Sequence, residues 1–191
     1  MATSTHMIIK SIDGKPPVVV FCGERESGKS TAAKGLRDQQ GCTLLSFADP
    51  IYRMMSALLG VDARTLDKDV SLPELGGKTL REALQTLGTE WGRELVYQDI
   101  WLENMRRRLE AALADPNCRG VVVDDCRFWN EYEALQSYNP YTVRVDRPGW
   151  HVGQTSHASE ADWGQFPVQE ILVNDSKTAA EFVDTIPYTL V

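Results

Sequence analysis

A parallel β-sheet flanked by helices is the architecture this sequence predicts, and three observations predict it. Five short segments rich in β-branched and apolar residues alternate with longer stretches of helical pattern, as in sheets whose strands are covered on both faces and joined by helical crossovers. A glycine-rich octapeptide, GERESGKS at 23–30, follows the first of these segments and leads into a helical run. The 191 residues, 42% hydrophobic and 25% charged, suffice for one sizeable core in an ordinary globular domain.

Taken in order, the first strand is expected at 18–22 (VVVFC), followed by the octapeptide and the helical run TAAKGLRDQQ. A second strand is expected at 43–47. The insertion at 49–98 reads as helical and is interrupted by Pro73, Gly76 and Gly77. A helix over 101–114 places Leu102, Met105, Leu109 and Leu113 on one apolar face, so Arg106, Arg107 and Arg108 must spread around it and read mainly as a solvated face, the alternative being a phosphate contact from one of them. Strands are then expected at 121–124, 141–145 and 170–173. The last precedes a turn and the helical SKTAAEFVDTI. Between the final two strands, DRPGWHVGQTSHASEADWGQFP is loop-like and rich in glycine, polar residues and tryptophan. It is the candidate mobile lid, with Trp163 expected to anchor it. The domain reading is a single domain with core 16–48, 99–144 and 168–191, an insertion at 49–98 and a lid at 145–167. No internal repeat or low-complexity tract is present, and residues 1–7 carry no periodic pattern.

Twenty-seven acidic against 20 basic residues leave a formal charge of −7, which argues against a nucleic acid polymer as partner. A small phosphorylated ligand needs only a local cluster of arginines and backbone donors. Cys22, Cys42, Cys118 and Cys126 form no CxxC pair and no metal-ligand spacing, so they are expected to be reduced packing residues. The opening residues lack the apolar stretch of a secretion signal, and no segment approaches the length of a membrane span. The expectation is a cytoplasmic protein without a membrane partner.

The octapeptide satisfies GxxxxGK[ST] in the strand, loop, helix setting that this phosphate-binding loop requires. A chance match in a chain of this length is on the order of one in a hundred. Gly23 and Gly28 permit backbone angles closed to other residues, so the N–H groups of the loop, including Glu26 and Ser27, can converge on phosphate oxygens. The helix starting near Gly28 adds its positive end, reaching Thr31. Lys29, expected in a solvent-facing loop, supplies charge to the β and γ phosphates, and the Ser30 hydroxyl is placed to ligate Mg2+. The cofactor pair implied is ATP with magnesium. After the third strand, Asp124 and Asp125 stand at the carboxyl edge of the sheet, where ligands bind in such folds. One of them would hold magnesium-bound water or the acceptor, with Arg127 beside them as a phosphate contact. The alternative is that these acids cap the next helix.

A P-loop alone does not choose among kinase, motor and switch. The NKxD segment of a GTPase is missing. The combination of GERESGKS, LLSFADPIYRM, TLREALQTLGTEWGREL, GVVVDDCRFWNE, VRVDRP, HASE and ILVND resembles the bacteriophage deoxynucleoside monophosphate kinases, a branch of the P-loop nucleoside monophosphate kinases. The resemblance runs from Val18 onward, and LQTLGTEWGR with the spacing to HASE makes it specific. It implies ATP-dependent phosphorylation of a deoxynucleoside monophosphate, with the insertion binding the acceptor. Asp49 and Arg53 would stand at the mouth of the second strand, and Arg81, Gln85 and Arg93 would hold the acceptor phosphate and base. On a helix over 79–95, Arg81 and Gln85 share a face. Arg81 could instead pair with Glu82 or Asp99 at the surface. By the same resemblance Arg144 or Arg147 would neutralise the transferring phosphoryl group, Trp150 would cover the substrate, Glu160 would orient an arginine or a substrate hydroxyl, and Asn174 would contact the donor base. His157 is a weaker candidate, because phosphoryl transfer depends more on positioning than on a strong base. The resemblance is also compatible with a homodimer. Two other readings stay open: a kinase of another small acceptor, such as dephospho-coenzyme A or a sugar acid, and a non-catalytic nucleotide-binding module.

Overall fold

The computed structural model describes residues 7–10, 13–149 and 163–191. The described chain divides into two compact units, one running up to Ser46 and again from Arg108 onward, the other spanning Phe47–Arg107.

The first unit is an α/β fold of P-loop type. Its sheet has five parallel strands in the order β3, β4, β2, β5, β6, formed by β2 (Val18–Cys22), β3 (Thr43–Leu45), β4 (Val121–Val123), β5 (Tyr141–Asp146) and β6 (Glu170–Val173). The central β2 is buried along its whole length, as expected of a strand covered on both faces. Helices α1 (Lys29–Gln40) and α6 (Ala179–Asp184) pack Leu36 and Phe182 into the core with Val19, Phe21, Val143 and Val145. Their axes come close because Gly35 carries no side chain: a Cβ there would lie 2.8 Å from the Val183 side chain. Helix α5 (Trp129–Gln136) buries Tyr132 and Leu135. Tyr132 stacks on Phe166 at 4.6 Å between ring centroids. Phe166 is buried in this aromatic contact, and Trp163, the expected anchor, is half-buried.

Three strand ends differ from expectation. β3 stops at Leu45 and not at Phe47, because the Ser46 carbonyl leaves the ladder and accepts from the Arg108 guanidinium at 2.5 Å. β4 stops at Val123, where the backbone turns and Asp124 and Asp125 carry their carboxylates out of the sheet. β5 runs on to Asp146 through register with Val173. A further pair, β1 (Met7–Ile9) with β7 (Tyr188–Leu190), was not foreseen. Each strand has three residues, and their parallel pairing joins segments some 180 positions apart, a contact with no local signature.

The second unit is built from α2 (Asp49–Leu59), α3 (Leu80–Thr86) and a π-helix, Leu87–Val96, and contains the first two turns of α4 (Ile100–Leu113). Tyr52, Met55, Ala63 and Leu80 form its core. The single helix expected over 79–95 is therefore α-helical only as far as Thr86. The cause is a contact from the next helix: the Trp101 indole N–H donates to the Gly88 carbonyl at 2.7 Å, so a side chain enters the backbone ladder. Gly92 makes room for that indole, since a Cβ there would lie 2.5 Å from the ring. Among the described residues no helix is long and apolar enough to cross a membrane.

Candidate active site

The octapeptide forms a loop between β2 and α1 at the carboxyl edge of the sheet. Its geometry depends on two glycines. At Gly23, with φ of +133°, a Cβ would sit 2.5 Å from the Val145 carbonyl oxygen. At Gly28, with φ of +114°, it would meet the Asn174 amide nitrogen at 2.6 Å and the Phe182 ring at 2.9 Å. Glu26 also adopts a left-handed backbone, φ 63°, and its side chain lies against Arg25. The loop is thus tightly wound, with left-handed backbone angles at three of its positions.

Lys29 corrects an expectation. It belongs to the first turn of α1 and is 8% exposed, not a solvent-facing loop residue. Its Nζ donates to the Glu24 carbonyl at 2.5 Å, which folds the ammonium over the loop. Ser30 is exposed, Thr31 half-buried and Ser27 buried. Asn174 is buried as well, and its amide donates to the Ser27 carbonyl at 2.8 Å. This side chain, expected at a donor base, lies against the loop and holds its shape.

Parallel register sets the neighbours. Val20 opposite Val123 brings the acidic turn after β4 beside the loop, and Cys22 opposite Arg144 does the same for β5. Asp124 is buried, and the Asp125 carboxylate accepts from the Ser46 hydroxyl at 2.5 Å. Neither acid caps the next helix. That role belongs to Glu131, itself 2% exposed, which accepts from the backbone N–H groups of Arg127 at 2.9 Å and Phe128 at 3.2 Å. Arg127 is exposed. Arg144 makes a two-point contact with Asp146, at 2.9 and 3.2 Å. Arg147 donates to the Glu26 carbonyl at 3.4 Å, which ties the end of β5 to the loop. Burial raises the Cys22 thiol to about 11, against the opposing pull of Lys29 and Arg144. It raises the Cys126 thiol well above its ordinary value too. Both thiols behind the loop are therefore neutral packing groups, and all four cysteines are free.

Within the second unit, Asp49 pairs with Arg64, and Arg81 grips Asp69 through both carboxylate oxygens at 2.6 and 2.9 Å. The surface partner expected of Arg81 was Glu82 or Asp99, but Glu82 caps α3 by accepting from Thr79. Arg53 and Gln85 are exposed and Arg93 is half-buried. Arg64 and Lys68 lie 4.3 and 5.2 Å from the Tyr52 ring centroid. Trp150, His157 and Glu160 fall outside the described residues.

Sequence reasoning missed Ser46, Glu131, Arg64 and Asp69 and read Arg108 as solvent-facing. Glu131 carried no cap signal, because Phe128, three residues before it, offers no side-chain acceptor. The others act through non-local contacts.

Any magnesium ion would meet oxygen donors here, the exposed Ser30 hydroxyl and the Asp124 carboxylate, which suit a hard cation. Among the described residues no group of three or more His, Cys, Asp or Glu side chains gathers into a closed cage.

No family model matches the chain. A protein of Acanthamoeba polyphaga mimivirus, provisionally named a deoxynucleotide monophosphate kinase, is 28% identical over 181 residues, covering 88% of this chain and 93% of its own length. The deoxynucleoside-5'-monophosphate kinase of Escherichia phage T5 is 42% identical over 59 residues, which is 31% of this chain and 22% of the phage protein. Both bear out the resemblance read from the sequence. Among solved structures, TT1252 from Thermus thermophilus superposes with a TM-score of 0.48 at 19% identity, covering 89% of this chain and 93% of that one. An unliganded sugar kinase from Janibacter sp. HTCC2649 gives 0.41 at 17% identity, with coverage of 88% and 90%.

Proposed function

We propose that this protein is a kinase that transfers the γ-phosphoryl group of ATP to a deoxynucleoside monophosphate. The observation that carries the reading is the phosphate cradle of residues 23–30 with a buried carboxylate, Asp124, at the end of the adjoining strand. The similarity over 88% of the chain to a provisionally named deoxynucleotide monophosphate kinase supports the choice of acceptor.

In this reading the backbone of Gly23, Glu26, Ser27, Gly28, Lys29, Ser30 and Thr31 receives the ATP phosphates at the positive end of α1. Lys29 exchanges the Glu24 carbonyl for phosphate oxygens. Ser30 and Asp124 would hold magnesium, which would supply neutralising charge at the phosphates. Arg127, Arg144 and Arg147 gather the charge that spreads over the moving phosphoryl group. Asn174 keeps the loop wound. Residues 49–98 supply the acceptor contacts through Asp49, Arg53, Arg81, Gln85 and Arg93. Arg81 would hold the acceptor phosphate as a planar fork in place of Asp69.

The test is a coupled assay for ADP release with ATP, magnesium and each of the four deoxynucleoside monophosphates, alongside a control without acceptor. ADP formed only with particular monophosphates is the expected outcome and names the base. An equal rate without acceptor makes the protein an ATPase and overturns the proposal.

A further inference from the structure

Arg106, Arg107 and Arg108 follow one another on α4, yet only the first two behave as a solvated helix face. Arg106 reaches Glu103 one turn back at 2.7 Å, and Arg107 is exposed. Arg108 is half-buried, and its guanidinium donates at 2.5 Å to the carbonyl of Ser46, the residue at which β3 ends. Ser46 is 8% exposed, and its hydroxyl donates to Asp125 at 2.5 Å. A continuous chain of bonds therefore runs from a helix, through a strand end, to the acidic turn after β4. On the far side of that turn Glu131 receives the N–H groups of Arg127 and Phe128. The segment 124–128 is held from both ends.

Two physical points give this chain of bonds a purpose. A strand-end carbonyl taken out of the ladder needs a donor, and a guanidinium taken out of water needs acceptors. A hydroxyl bonded to a carboxylate also fixes its direction, and a charge-assisted bond does so strongly. Groups that orient a carboxylate near a metal commonly change affinity or activity by 10- to 100-fold when removed.

We propose that Arg108 and Ser46 are positioning residues, which act through Asp125 to hold the acidic turn so that Asp124 serves the metal-bound nucleotide. The two adjacent aspartates then divide the work: Asp125 is the handle by which the turn is held, and Asp124 is the carboxylate presented. This rests on the kinase reading above, because it needs a metal-nucleotide complex at the cradle.

The experiment uses the full chain and two readouts. One is the affinity of the protein–ADP complex for Mn2+, followed by electron paramagnetic resonance; the other is the split between kcat and the KM for ATP. Ser46→Ala and Arg108→Ala should each lower Mn2+ affinity by about tenfold and raise the KM for the metal–ATP complex to match, since the two share one binding cycle, while metal-free ADP binding stays within about twofold. Arg108→Lys should recover most of the loss, because one donor to the Ser46 carbonyl remains. The double variant should be no worse than either single one, as members of one chain of contacts are not additive. Unchanged Mn2+ affinity in Ser46→Ala, or additive losses in the double variant, would overturn the proposal. Should Ser46→Ala fail to fold, Arg108→Lys against Arg108→Ala carries the same comparison. Wild-type protein that binds Mn2+ with ADP but transfers to no monophosphate would sink the kinase reading, with the metal titrations still deciding the role of Arg108 and Ser46.

Discussion

Asn174→Ala removes one hydrogen bond, from the side-chain amide to the Ser27 carbonyl at 2.8 Å, at a point where both residues are buried, 8% and 1% exposed. The carbonyl loses its donor in a site that water does not reach, a change that costs about 1–3 kcal/mol. In a domain of this size each kcal/mol lowers the melting temperature by about 2–4 °C, so a fall of roughly 6 °C is expected. The functional effect should exceed what stability alone explains. Gly28 lies between Ser27 and the first turn of α1, and its Cα packs against this same amide. Once Ser27 is released the loop donors lose their common aim. The KM for ATP should rise about tenfold and the KM for the acceptor far less. Asn174→Asp is the sharper control. It keeps the shape but turns an acceptor toward the carbonyl, so at neutral pH it should be worse than alanine. Its defect should ease as the pH falls toward the carboxyl pKa of about 4, where a protonated acid can donate again. Differential scanning fluorimetry over pH 4–8, with ATP titrations, reads both effects. If Asn174→Ala melts within about 1 °C of the wild type and binds ATP equally well, the amide does not hold the loop and the argument fails.

Lys29→Ala should lower transfer by about a hundredfold or more, since it removes a charge aimed at the transferring group. The far-UV circular dichroism should not change, and retained turnover would displace Lys29 from the site. Arg81→Ala should raise the KM for the monophosphate much more than that for ATP, and an equal effect on both would move Arg81 out of the acceptor site. Gly92→Ala places a Cβ 2.5 Å from the Trp101 ring and should cost about 1–3 kcal/mol through overpacking. Denaturant titration followed by tryptophan fluorescence measures it, and an unchanged midpoint would contradict the packing of the π-helix. The Tyr141 hydroxyl is pushed up to about 12, by burial first and then by its bond to Glu170. The folded state therefore favours the protonated phenol. Its contribution is complete below the ordinary value near 10 and is lost as the pH rises toward 12. Urea midpoints should fall across that interval, and Tyr141→Phe should flatten the slope.

Local sequence was enough to determine most of the sheet and the glycine-rich loop that follows β2. β2 and β6 lie where apolar, β-branched runs place them; for β2 the reason is that a strand buried on both faces must be apolar along its length, whereas β6 is an edge strand that leaves Ile171 and Val173 exposed. The loop of residues 23–30 was legible because glycine positions, lysine and serine act within eight consecutive residues. Tertiary structure decided whatever depends on a partner far along the chain. The β1–β7 pair joins short segments that bury enough surface only together. The π-helix exists because Trp101 reaches the Gly88 carbonyl, and spacing alone reads the same residues as one α-helix. The uses of Asn174, Arg81 and Arg108 follow the same rule. A polar side chain takes its role from whatever acceptor the fold brings within hydrogen-bond range. For these three, the acceptors are Ser27, Asp69 and Ser46, respectively 147, 12 and 62 positions away in the sequence.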